Sequence, residues 1–318
     1  MARRMDSGWR DESLSVRHSS WGFDAPAPGM TFPMIEYDRG EPLAVISYIR
    51  RGVHLPTGAD VAQAYRAFGS LYRETGEQQP YFTVQYDPRN WSYRVFGHNE
   101  SARSFLDTSP YLARGSGWVR MTEKQFANNL YRLRGRYAPD LSAYGVTHSE
   151  ELWPELEPDV WSGTGEAWPG QLMSERRRNF EPVGQTRMTW RNPCLDIDLA
   201  VTDRDGHIAL LVDYKAPGAK INVTNTNAVA MSKLYVTSRS YRVAVPAMVV
   251  SYEPDSAFWK FRVHCLNKSA RHHLAYTLGC MPSADADMDT MAKTIAGVEW
   301  VDLTEAEWCA VLRVARDV

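Results

Sequence analysis

Apolar and polar residues alternate along four stretches of the chain, and the alternation predicts strands. They are residues 81–86 and 91–97, then 247–252 and 258–265. Helical spacing predicts helices near 58–74 and 226–238, and a short helix opening at each Ser-Ala-Arg tripeptide (101–103 and 269–271). Two further helices are marked at their starts. Thr122 stands three residues before Gln125, and Thr304 three before Glu307, the spacing of a capping box. Strands mixed with helices in this way place the chain in the α/β class.

The pattern occurs twice. PYFTVQYDPRNWSYRVFGHNESARSFL (80–106) matches PAMVVSYEPDSAFWKFRVHCLNKSARHHL (246–274), sharing Pro80/Pro246, Val84/Val250, Tyr86/Tyr252, Val95/Val263, Asn99/Asn267 and Leu106/Leu274. Downstream, WVRMT (118–122) matches WVDLT (300–304). Upstream, LAVISY (43–48) matches ALLVDY (209–214), with Gly40 falling on Gly206. A tandem duplication is expected, since self-similarity at this scale marks repeated structural units. Its parts are an N-terminal arm over 1–29, a first copy over 30–137, a linker over 138–165 and a second copy over 166–318.

Composition adds bounds. With 318 residues, 44% hydrophobic and 23% charged, the chain has room for about two domains with ordinary cores. The net charge of −2 does not announce a nucleic-acid binder, so a basic surface would have to be local. Arg50-Arg51 and Arg176-Arg177-Arg178 are the local candidates. Cys194, Cys265, Cys280 and Cys309 form no CxxC pair, which argues against a zinc site or disulfide framework. No apolar run has the length of a membrane span, and the start lacks a signal-peptide core. A cytoplasmic protein with no membrane partner is expected.

Candidate chemistry concentrates in CLDIDLAVTDRDGHIALLVDYK (194–215). Asp205-Gly206 predicts a two-residue type I′ hairpin turn, in which opposed residues have numbers summing to 411. Asp198 then faces Asp213, and Asp196 faces Lys215. Opposed residues share a sheet face, so all four polar groups would project together. Ile197, Leu199, Val201, Ile208, Leu210 and Val212 would form the core face. Such a cluster requires paired charges or a metal. An exposed hairpin with an Asp196–Lys215 ion pair is the alternative.

Asp198 followed by Asp213-Tyr214-Lys215 resembles the site of the PD-(D/E)xK, or restriction-endonuclease-like, nuclease superfamily. The resemblance implies an α/β chain of two tandem restriction-endonuclease-like units, each a mixed central sheet flanked by helices. It implies DNA phosphodiester hydrolysis, with Asp198 and Asp213 holding Mg²⁺ (or Mn²⁺) and Lys215 positioning or activating the attacking water. The family often adds an acid from a preceding helix. Pro169 suits the first turn of a helix running to about Phe180, on which Glu175 is the first choice and Glu166 the second. Asp198, Asp213 and Lys215 map to Phe32, Ser47 and Ile49 in the first copy, so that copy is expected to be degenerate. A monomeric pseudo-dimer or a homodimer follows from the duplication.

The remaining candidates are DNA contacts: Arg176, Arg177, Lys233 on the helix after the hairpin, and Arg271. Asn99 and Asn267 are expected as helix N-caps, with Arg103 and Arg271 each paired to a nearby acid. A non-enzymatic nuclease-fold protein that binds DNA or another protein, as a phage or defence-system component, is the competing functional reading.

Overall fold

The computed structural model describes residues 4–5, 17–18, 20–21, 32–50, 62, 65–87, 90–108, 117–135, 194–215, 226–238, 241–254, 258–280 and 288–317. The expected linker over 138–165 and the helix from Pro169 to Phe180 lie outside these residues. In chain order the strands are β1 (Arg4–Met5), β2 (Phe32–Asp38), β3 (Glu41–Arg50), β4 (Tyr81–Asp87), β5 (Ser92–Gly97), β6 (Trp118–Met121) and β7 (Cys194–Asp196). They continue as β8 (Leu199–Thr202), β9 (Ile208–Lys215), β10 (Tyr235–Ser238), β11 (Tyr241–Ala244), β12 (Ala247–Glu253), β13 (Lys260–Cys265) and β14 (Val301–Thr304). The helices are α1 (Glu100–Asp107), α2 (Glu123–Leu133), α3 (Thr226–Ser232), α4 (Lys268–Gly279), α5 (Met288–Ala296) and α6 (Glu305–Asp317).

Among the described residues, two mixed six-stranded sheets run in the orders β7-β2-β3-β4-β5-β6 and β1-β8-β9-β12-β13-β14, beside a two-stranded β10-β11 sheet. Their strand senses match position by position. In each, an antiparallel hairpin is followed by one parallel neighbour and then two antiparallel ones. Fine bonding matches as well. Asn99 caps α1 through the Ala102 N–H, while its amide donates to the carbonyls of Gly69 and Gln79. Asn267 caps α4 through the Ala270 N–H and donates to the carbonyls of Ser232 and Val245. One asparagine in each half therefore satisfies a helix end and two carbonyls together. Both capping boxes form, at Thr122/Gln125 and Thr304/Glu307.

Among the described residues, three apolar cores hold these layers. The first sheet buries Tyr48, Phe82 and Val95 against Leu106 of α1 and Phe126 and Leu130 of α2. The second buries Leu210, Val250 and Phe261 against Leu274 of α4, Ile295 of α5, and Trp308 and Leu312 of α6. The third is shared between the sheets, joining Ile35, Val45 and Tyr81 to Ala200, Leu211 and Ala247, with Phe68 and Met231 of α3. No helix among the described residues is long and apolar enough to cross a membrane.

Several expectations require correction. The type I′ turn lies in the other hairpin: Arg39 and Gly40, both at positive φ (50° and 79°), join the paired residues Asp38 and Glu41. At Asp203–His207 only Gly206 has positive φ (90°), its N–H donates to the Asp203 carbonyl, and Asp203 Oδ1 accepts the His207 N–H. The hairpin keeps the sum of 411 from Leu199–Val212 to Val201–Leu210, then shifts by one at Thr202–Ile208 and leaves Ala209 unopposed. A bulge of this kind re-aims the side chains beyond it. Ile208 accordingly packs in the shared core, away from Leu210 and Val212. Ile197, before β8, does the same.

The helix expected over 226–238 stops at Ser232, and β10 follows from Tyr235. The one expected over 58–74 is helical at 65–68 and turns at 69–70, before Tyr72 bridges to Tyr235. Arg103 bonds the Asn99 carbonyl rather than an acid.

The N-terminal arm is also more than a lead-in. β1 pairs with β8 of the second sheet, while β7 crosses to pair with β2 of the first. Each half thus receives an edge strand from the segment preceding the other half, which covers two open edges. Trp21 enters the core of the second half and donates Nε1–H to Glu305 Oε1 at 2.9 Å; Arg17 lies 3.4 Å from the same oxygen.

Candidate functional site

The site is built at the carboxyl end of β9. A strand alternates faces, so Tyr214 turns into the core of the second half while Asp213 and Lys215 share the opposite face. Lys215 Nζ lies 2.7 Å from Asp213 Oδ1. Asp213 is buried and Lys215 is one-third exposed, so one end of the pair is shielded and the other reaches solvent.

Asp198 joins them through a backbone feature. The chain leaves β7 in the first sheet and bends at residue 198 before entering β8 in the second. That bend interrupts the β8–β9 ladder opposite Tyr214. Asp198 Oδ2 takes the vacated position and accepts the Tyr214 N–H at 2.8 Å. Asp198 is therefore bonded to the residue between Asp213 and Lys215. Asp196 lies on β7, whose backbone pairs it with Met34 of β2, so the expected strand opposition of Asp196 and Lys215 is absent.

Strand register extends the face across the second sheet. Leu211 and Ala247 form an apolar row. Asp213, Val249 and His264 form the next. Lys215, Ser251, Arg262 and Asp302 make a row of four polar residues, and Glu253, Lys260 and Thr304 another. The face thus changes from apolar to polar toward the carboxyl ends of the parallel pair β9 and β12, the end at which ligands bind in open α/β sheets. A cleft of about 450 Å³ opens there, lined by Ser251, Lys260, Arg262, Asp302, Thr304 and Glu307 among others. Arg262 Nε donates to Asp302 Oδ1 at 3.0 Å, with the guanidinium 5.7 Å from the centre of the Trp300 ring. Sequence reasoning missed this row, although its signal is present: Ser251-x-Glu253 and Lys260-x-Arg262-x-His264 alternate with buried residues.

On the opposite face Tyr214 is anchored. Its hydroxyl accepts the Trp308 Nε1–H at 3.0 Å and lies 3.0 Å from His18 Nε2 of the arm. The middle residue of Asp213-Tyr214-Lys215 is thereby tied to both α6 and the arm.

The corresponding place in the first sheet is filled differently. Ser47 pairs with Thr83 as Asp213 pairs with Val249. The Tyr81 ring occupies the position of the small Ala247, its hydroxyl 3.0 Å from Ser47 Oγ and its ring stacked on His98 at 4.5 Å. His98 Nε2 lies 2.7 Å from Thr83 Oγ1. Burial pushes the Tyr81 phenol up to about 12 and the His98 imidazole down to about 4. Both are neutral near pH 7 and act as packing groups.

Lys233 lies in the turn after α3, where its ammonium pairs with Glu41 of the first hairpin. Arg271, on α4, lies near Cys265, whose thiol burial raises to about 12. Glu166, Glu175, Arg176, Arg177, Arg178 and Arg51 lie outside the described residues, and so does the side chain of Arg50. Asp198 and Asp213 offer the hard oxygen donors that suit Mg²⁺. Among the described residues no group of three His, Cys, Asp or Glu side chains converges as a metal site. Comparison of the chain with protein-family models, curated proteins and solved structures gives no match.

Proposed function

We propose that the chain is a tandem pair of restriction-endonuclease-like units, and that the second unit hydrolyses DNA phosphodiesters with Mg²⁺ or Mn²⁺ held by Asp198 and Asp213. The observation that carries this reading is the bond of Asp198 to the Tyr214 N–H, between the paired Asp213 and Lys215, at the carboxyl end of β9 and one strand from an open cleft. The matching strand senses of the two sheets support the duplication. The ion, when bound, supplies positive charge against the charge that develops on the scissile phosphate.

The chain's own residues do the rest. The Tyr214 N–H fixes the Asp198 carboxylate, so its orientation is set before substrate arrives. Asp213 holds Lys215 Nζ at 2.7 Å, and the ammonium, one-third exposed, orients water or a phosphate oxygen. The first unit, with Phe32, Ser47 and Ile49 at the equivalent positions, supports the fold and contributes no site.

Linear, circular and branched DNA incubated with Mg²⁺ or Mn²⁺ tests this reading. Cleavage is expected from the wild type and is expected to fall by at least a hundredfold in Asp213→Ala and Lys215→Ala. Cleavage that survives both substitutions rejects the assignment. A second reading, a non-enzymatic nuclease-fold binding protein of the phage or defence kind, is favoured by one observation: both acids already have partners, a backbone N–H for Asp198 and an ammonium for Asp213. Tight, salt-sensitive DNA binding without cleavage would select it.

A further inference from the structure

We infer that the cleft beside Lys215 is a second phosphate site, in which Arg262 grips a DNA phosphate flanking the one at Asp198 and Asp213. The inference rests on the nuclease reading and assigns the contact that holds the strand in register. Three observations lead to it. First, Arg262 stands in the same row as Lys215, separated only by Ser251. Adjacent strands lie about 4.8 Å apart, so the two backbone positions lie roughly 10 Å apart across the face. That span is of the order of one to two nucleotides of extended strand, matching neighbouring phosphates on one backbone. Second, the side chain between them is a small hydroxyl, which leaves the path open and offers a donor to a phosphate oxygen.

Third, Arg262 is held for the task. Asp302 engages Nε, and Trp300 lies against the guanidinium. With Nε engaged, the two terminal nitrogens make no hydrogen bond among the described residues and are available for a phosphate contact. Of the acids of the cleft, Asp302 is ion-paired with Arg262, Glu307 closes the capping box with Thr304, and Glu253 faces Lys260 by strand register alone. The Asp302 pairing lowers the repulsion that a phosphate meets at Arg262. A mixed lining also fits one gripped phosphate better than a long basic track, in keeping with the chain's net charge of −2.

Binding measured without metal separates this site from catalysis. Fluorescence anisotropy of a short labelled DNA duplex and a labelled single strand, in EDTA across a salt series, is compared for wild type, Arg262→Ala, Arg262→Lys and Asp302→Asn. Arg262→Ala is expected to weaken binding about tenfold and to lower the salt slope by about one phosphate equivalent. Arg262→Lys should restore the slope and only part of the affinity, because an ammonium keeps the charge and loses the fork. Asp302→Asn should bind less tightly than wild type if Asp302 aims the fork. Wild-type binding with an unchanged affinity and slope in Arg262→Ala overturns this site and leaves the nuclease reading standing. Failure of the wild type both to bind either DNA and to cleave it with metal overturns both. The Arg262 side chain is about half exposed, so thermal unfolding of the variant should match wild type and separate lost contact from lost fold.

Discussion

The carboxylate of Asp198 accepts the backbone N–H of Tyr214 at 2.8 Å, replacing a ladder bond that the crossing from β7 to β8 removes. One acid therefore does two things. It extends the β8–β9 ladder, and its carboxylate is fixed at the backbone between Asp213 and Lys215. The two roles have different chemical requirements, since a ladder bond needs only an acceptor and a divalent ion needs a negative charge.

Asp198→Asn and Asp198→Ala should consequently separate. Asparagine retains an acceptor oxygen, so its stability to urea should stay within about 0.5 kcal/mol of wild type, while Mg²⁺ binding by calorimetry and DNA cleavage are lost. Alanine leaves the Tyr214 N–H without its partner and should cost about 1–3 kcal/mol as well. Equal cleavage by Asp198→Asn and wild type would leave Asp198 a purely structural residue.

Tyr214→Phe tests the tie between the arm and the site. The substitution removes the hydroxyl that accepts from Trp308 and contacts His18, leaving two buried polar groups without that partner. A loss of about 1–3 kcal/mol in chemical denaturation is expected. Limited proteolysis should also cut the first twenty residues sooner, because one of the arm's buried contacts is gone. A variant as stable and as resistant as wild type would show that the Tyr214 hydroxyl is not needed to hold the arm, whose other ties include β1–β8 and Trp21–Glu305.

Much of this organisation is readable from residue types, and the exceptions have physical causes. Alternation located β4, β5, β12 and β13 because those strands pack one face on a helix layer. Asn99, Asn267, Thr122 and Thr304 announced their helices because caps are local. The Asp205-Gly206 turn misled because Gly206 alone takes positive φ, and the extra residue then reverses Ile208. The exchange of β1 and β7 left no local signal, since which sheet receives an edge strand is decided by distant packing. Asp196 was misplaced for that reason. Asp198 still bonds the Tyr214 N–H, next along the chain from Asp213, because β8 and β9 keep the expected register on the far side of the bulge.

Acid should destabilise the first half through His98. Its imidazole is held near pKa 4 by burial, with the Arg103 charge adding to the effect, against an ordinary value of 6.5. A depressed folded value means that this group favours the folded state fully above pH 6.5, and that the contribution is lost as pH falls toward 4. The slope in that window is about 1.4 kcal/mol per pH unit. His98→Gln keeps a hydrogen-bonding group for Thr83 and cannot ionise. Urea midpoints at pH 7 and pH 5 should therefore fall less in the variant than in wild type. Identical pH dependence in both would mean that carboxylates dominate the acid response.

Glu36 and Arg134 form the last test, because neither side chain is exposed and their charged atoms lie 2.8 Å apart. Arg134 also donates to the carbonyls of Leu130 and Tyr37, so it fastens the end of α2 to β2. Removing either partner takes a close counter-charge from a buried group, and Arg134→Met or Glu36→Leu alone should cost about 3–5 kcal/mol. The double variant removes both charges and should cost less than either single change, since the desolvation of the pair is relieved together with its attraction. A double-mutant cycle in urea measures this directly. If the two losses simply add, the pair is not coupled, and the fastening of α2 to β2 rests on the carbonyl contacts of Arg134 instead.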